Sequence, residues 1–154
     1  MRAAGRVLLL ILLGSVLGSA TNTVLGFVVL KRLEKKSGAP IKGQFMPHLF
    51  APSFSLKQAK VEWQKRFRVD SGTFTVRYDP LSVLPGRKLR TWIEGEDLEA
   101  RLFGELAESE GFSDVRIDRV RADLAFFRKG PPEIFSFDVQ SPQIQFHMTK
   151  EGGP

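Results

Sequence analysis

Cysteine is absent from the 154-residue chain. Disulfides, thiolate nucleophiles and thiolate metal sites are therefore excluded, and the compartment stays open, because oxidising and reducing surroundings treat such a chain alike. Histidine is scarce too: His48 and His147 are the only two, each beside apolar residues and neither with a partner at metal-ligand spacing. The chain has no nucleophile elbow, no phosphate-cradling glycine loop and no pair of metal ligands on a helix. These absences lead us to expect a protein that is not an enzyme and that uses no cofactor and no metal. A basic block is also missing. The 23 Lys and Arg exceed the 17 Asp and Glu to give a net charge of +6, but they are scattered among the acids, which argues against nucleic acid as a partner.

Apolar residues are abundant. They make up 42% of the chain and Phe alone occurs 13 times, enough to build a core, so disorder is excluded. Between Arg6 and Lys31 the sequence VLLLILLGSVLGSATNTVLGFVVL, residues 7–30, carries no charge. At about 1.5 Å per residue a helix of this length crosses a hydrocarbon core of about 30 Å. Arg2 and Arg6 precede it, and Lys31, Arg32, Lys35 and Lys36 follow. A small-x-small site at Gly18-Ser19-Ala20 would suit a cleaved signal peptide, but the apolar run resumes at Val24, so an uncleaved signal anchor over residues 1–36 is expected. Counted literally, the heavier downstream charge would keep the carboxyl-terminal part in the cytoplasm.

Residues 37–52, which include SGAPIKGQFMPH, read as a Gly/Pro-containing linker. From 53 to 149 nearly every segment alternates with the two-residue period of a strand. In TFTVRYDPLSVLPGRKLRTWI, residues 73–93, Phe74, Val76 and Tyr78 alternate with Thr73, Thr75, Arg77 and Asp79. Leu89 to Ile93, then Leu98, Ala100 and Leu102, then Val120, Ala122, Leu124 and Phe126, then Phe135, Phe137 and Val139, and finally Ile144, Phe146 and Met148 repeat the pattern. Ser71-Gly72, Asp79-Pro80, Pro85-Gly86, Glu94-Gly95 and Gly130-Pro131-Pro132 supply turn residues between the runs. A phase slip at Asp118-Arg119 predicts a bulge. Glu94, Glu96, Asp97 and Glu99 read as a solvated turn, and Arg87 with Lys88, or Arg116, Arg119 and Arg121, as solubilising charge that could also meet lipid phosphate. The fold expected is an all-β antiparallel meander of about six to eight strands behind one transmembrane helix, with residues 150–154 as a disordered tail.

Each strand offers one apolar face, and no amphipathic helix follows to bury it: only FGELAESE, residues 103–110, has helical character. The faces must close on each other as a sandwich or barrel, pack on a partner protein, or hold lipid.

FSLKQAKVEW followed by SGTFTVRYDPLSVLPGRKLRTWIEGEDLEARL and VRIDRVRADL, behind a signal anchor, resembles the amino-terminal portion of AsmA-like proteins and their GspN-type relatives. The likeness covers roughly residues 7–148, rests on turns and alternation, and departs in length, since family members are usually much longer. It implies a bacterial inner-membrane protein with a single span and its β-domain in the periplasm. It further implies a sheet curled into an open groove whose apolar face holds phospholipid acyl chains, acting in lipid transport or envelope assembly. The groove would be lined by Phe74, Val76, Tyr78, Leu89, Ile93, Leu98, Leu102, Val120, Leu124, Phe126, Phe135, Phe137, Ile144 and Phe146. Seven strands about 4.8 Å apart make a groove of about 30 Å, the length of one lipid, and an open edge strand could add a protein partner. The alternatives are a membrane-tethered closed β-sandwich that scaffolds a secretion or envelope complex without lipid, and a secreted β-protein released at Ala20.

Overall fold

The computed structural model describes residues 2–111, 113–142 and 145–149. Helix α1 (Arg2–Ser37) is followed by strands β1 (Ile41–Pro47), β2 (Ser53–Trp63), β3 (Phe67–Tyr78), β4 (Leu89–Leu102), β5 (Asp114–Phe126), β6 (Glu133–Gln140) and β7 (Gln145–Thr149). A 3₁₀ turn, Pro80–Val83, lies between β3 and β4, and a short helix, α2 (Glu105–Glu110), between β4 and β5. The seven strands form one antiparallel sheet in chain order, the meander that short connections dictate. Helix α1 is long and apolar enough to cross a membrane. Its apolar side chains from Val7 to Leu13, with Val16 and Leu17, are all more than half exposed.

The structure changes three expectations. Residues 41–47, assigned to the linker, form edge strand β1, with Ile41 opposite Val61 and Pro47 opposite Phe54. A register shift between Lys42 and Gln44 breaks its alternation, which is why the period of two was not legible there. Ser71-Gly72 and Glu94-Gly95 do not reverse the chain, because β3 and β4 run straight through them. Finally, no residue is inserted at Asp118-Arg119: β4 and β5 stay in register on both sides, Glu96 opposite Arg119 and Leu98 opposite Ile117.

One crease across the sheet explains all three. Along β4 the buried positions are odd-numbered up to Gly95 and even-numbered from Leu98, and β2 switches in the same way between Leu56 and Ala59. At the switch points Gln58 and Asp97 adopt positive φ, 51° and 50°, and in β3 the register is irregular from Val69 to Thr73. Gly72 sits there at φ +149°, where a Cβ would collide with the Leu98 side chain, so only glycine fits. Neighbouring strands change phase in the same row. The apolar side chains therefore stay on one face while the pairing continues, whereas a sequence sees each phase change alone and scores it as a turn or bulge.

Two buried clusters occupy the apolar face. One joins α1, through Val29, Leu30 and Leu33, to Phe54, Leu56, Val76, Tyr78, Val83 and Leu89. The other, beyond the crease, joins Val69, Leu98, Ala100, Leu102 and Val115, with Ala107 of α2 packed against it.

Candidate functional site

Directly opposed residues in an antiparallel pair share a face, so the register defines the apolar surface row by row. One row runs from Pro47 through Phe54, Val76, Ile93, Ala122 and Phe137 to Met148, and the next from Phe45 through Leu56, Phe74, Gly95, Val120 and Val139 to Phe146. Tyr78, Thr91, Leu124 and Ile134 make a third, and Leu89 with Phe126 a fourth. These rows unite most of the residues that the family resemblance assigned to a groove.

The second half of α1 covers the β1–β4 end of these rows. Tyr78, Leu89 and Val76 are at most 3% exposed beneath it. The Tyr78 hydroxyl donates to the backbone carbonyl of Asn22 at 3.1 Å, and burial raises the pKa of its phenol. Gly26 lets the helix approach closely, since a Cβ there would stand 3.3 Å from both Phe45 Cζ and Phe54 Cδ1. Phe45 itself lies between the rings of Phe27 and Phe54, at 6.3 and 5.1 Å, a spacing favourable for aromatic pairs. Phe74, Val76, Tyr78, Leu89 and Ile93 thus pack in or against the α1 core, and Leu98 and Leu102 belong to the cluster beyond the crease. The expectation that no helix covers the sheet is corrected: the cover precedes the strands in the chain, hidden inside the apolar segment. The renewed apolarity after Val24 accordingly has a packing cause, and it no longer argues against cleavage at Ala20.

Past Phe126 the cover thins out. Val120, Leu124, Phe137 and Val139 are half-buried, and on the same rows Ile134 and Met148 are 38% and 39% exposed. Phe135 leaves this face. The register of β6 on β5 shifts by one residue between Asp123 and Leu124, and the Arg90 guanidinium lies 3.8 Å from the Phe135 ring centroid while bonding Asp123 at 2.8 Å. Ile144 lies outside the described residues, and Phe146 is placed by its backbone pairing with Val139.

The opposite face is polar. Glu94 accepts from Arg121 at 2.9 Å, and Arg119 lies 3.6 Å from Glu94 and 3.7 Å from Glu96. Glu94 and Glu96, assigned to a turn, are thus partners of Arg119 and Arg121 on the neighbouring strand β5. His48 bonds Ser53 and Ser55 at 2.7 and 3.0 Å. Among the described residues no group of His, Asp or Glu could hold a metal ion.

A second feature was not legible in the sequence. Where α1 ends, a cleft of about 390 Å³ opens between its last turns, the loop entering β4 and the end of β5. Arg32, Lys35, Lys36, Arg87 and Arg128 line it together with Pro85, Gly86, Leu89, Phe126 and Phe127, and no Asp or Glu is among the lining residues. Lys36 Nζ donates to the Arg128 carbonyl at 2.9 Å, and Lys88 Nζ stands 4.5 Å from the Phe127 ring centroid. Phe126, expected in the groove, lines this cleft. The only signals in the sequence were cations flanking the apolar run and a pair after a turn, far apart in the chain.

At the other end of the covered region, the Asn22 amide donates to the Leu49 carbonyl at 3.1 Å. This holds Leu49 and the 86% exposed Phe50 beside the helix. Leu81, in the 3₁₀ turn, is also exposed. Comparison with protein families, with curated proteins and with solved structures returns no match.

Proposed function

We propose that this chain is a single-span, membrane-anchored β-domain that handles lipid in envelope lipid transport or assembly. Its acyl-chain surface is the strip of sheet that α1 leaves uncovered. One observation carries the proposal: Val120, Leu124, Phe137, Ile134 and Met148 continue the buried face without interruption, yet are partly exposed. A contiguous exposed apolar surface marks a binding site more often than chance, and a helix apolar enough for a bilayer leads straight into it.

Length agrees with a domain resting on the membrane. Counted from Val7, about 30 Å of hydrocarbon is spanned near residue 27, and Leu49 is bonded to the helix at residue 22. Leu49 and the exposed Phe50 then lie about 7 Å inside that boundary, where apolar side chains meet hydrocarbon. The likeness to AsmA-like proteins supports the bacterial inner membrane, a periplasmic sheet and a curl of the strands around the strip. It accounts for function and orientation together.

The test is lipid extraction and native mass spectrometry on the full chain purified from bacterial membranes. A fragment starting at Ser37 is unsuitable, because it would strip the helix from Val76, Tyr78 and Leu89. Phospholipid should co-purify at a defined ratio and be lost from Leu124→Asp and Phe137→Asp. Lipid recovery unchanged in both variants would contradict the proposal. Because the chain has no cysteine, a single Lys57→Cys on the exposed side of β2 reports orientation. A membrane-impermeant maleimide should label it in intact spheroplasts, and protection there would place the sheet in the cytoplasm.

A further inference from the structure

We propose that the cleft at the end of α1 binds a phosphate group carried by an amphiphile, with the phosphate on the cations and the adjoining hydrocarbon on Leu89, Phe126 and Phe127. The first ground is convergence. Arg32, Lys35 and Lys36 come from α1, Arg87 from the loop before β4 and Arg128 from the loop after β5, yet they line one cleft of about 390 Å³ with no carboxylate among them. Lys35 and Lys36 in the last turn have a local explanation, since cations complement the helix carbonyl end. Arg87 and Arg128 do not. A charge signal that only set membrane topology would require cations beside the span and would not draw in residues from two distant loops.

The second ground is the composition of the walls. Five like charges around one cleft repel one another and favour an anion between them. Guanidinium groups in particular match phosphate oxygens with paired donors. The floor is apolar: Leu89 is buried, and Phe126 and Phe127 are half-buried. Inorganic phosphate alone has no use for such a floor. The third ground is continuity. Phe126 is opposite Leu89, and Leu124, two residues back on the same face, begins the uncovered strip. A lipid with its phosphate in the cleft would lay its chain along that strip. This last point rests on the lipid-handling proposal, while the phosphate site does not.

The experiment titrates the full chain in a neutral maltoside detergent with dihexanoyl phosphatidic acid, dihexanoylglycerol or inorganic phosphate, followed by calorimetry. Phosphatidic acid should bind saturably and dihexanoylglycerol should not. The double substitution Arg87→Gln with Arg128→Gln should weaken binding at least about tenfold, the scale of losing charge-assisted hydrogen bonds. Lys57→Gln with Lys60→Gln, two exposed cations of β2, should leave it unchanged. Inorganic phosphate binding as tightly as phosphatidic acid would uphold the phosphate site but overturn the amphiphile. Equal weakening by both double substitutions would reveal diffuse charge attraction and overturn the site, as would the lack of saturable binding by any probe. Loss of lipid from Leu124→Asp with phosphate binding intact would show the strip and the cleft acting separately. Phosphate binding in a chain that never co-purifies with lipid would overturn the lipid-handling proposal and leave the cleft standing.

Discussion

Under the second half of α1, Phe54, Val76, Tyr78 and Leu89 are sealed from solvent. A few strands further along the same rows, Leu124, Phe137, Ile134 and Met148 are chemically similar but lie partly open. Both regions alternate with the same period and lie on the same rows of one sheet, so what separates them is the reach of one helix. Alternation therefore shows that a strand has an apolar face, and does not show what lies on it.

This contrast can be broken from either side, and the largest effect is expected at the helix. Val29 is fully buried against the sheet, so Val29→Asp places an unpaired charge there and should cost about 4 kcal/mol or more, enough to unfold the domain in a thermal melt. Leu124→Asp, on the open strip, should cost about 1 kcal/mol and stay folded. Truncation sharpens the same division. A chain beginning at Thr21 should be folded, because the exposed apolar run from Val7 to Leu17 is gone while Val29, Leu30 and Leu33 remain, whereas one beginning at Gly38 should aggregate on gel filtration.

Gly26 and Gly18 offer a smaller version within one helix. Gly26→Val meets Phe45 and Phe54 and should destabilise by about 1–3 kcal/mol, while Gly18, with nothing within 4 Å, should accept Val without change in the melting temperature of the sheet. The smallest loss at a buried position is expected from Tyr78→Phe, which removes the bond to the Asn22 carbonyl. It should cost about 1 kcal/mol, a shift of about 4 °C for a domain of this size.

The strand content, the meander and the apolar helix were legible in the sequence because each follows from local periodicity and turn chemistry. Three features were not. The crease spreads over several strands, and Gln58, Gly72 and Asp97 acquire meaning only when they align across the sheet. The cover was concealed because the residues from 24 to 33 that pack on the sheet continue an apolar run already long enough to cross a membrane, and hydropathy cannot separate the two demands. The cleft needed the fold to bring Arg87 and Arg128 to the end of α1. Phe135 failed for a subtler reason: a one-residue shift on β5 sent it to the polar face beneath Arg90, although its neighbours Ile134 and Phe137 stayed on the apolar one.

The most direct test replaces Phe137, and separately Val76, with a photoreactive amino acid in the full chain in living bacteria and identifies the adducts by mass spectrometry. Phe137 should yield phospholipid adducts, while Val76 should yield only crosslinks within the chain to α1. A protein partner captured at Phe137 in place of lipid, or lipid captured equally at both positions, would contradict a strip reserved for acyl chains.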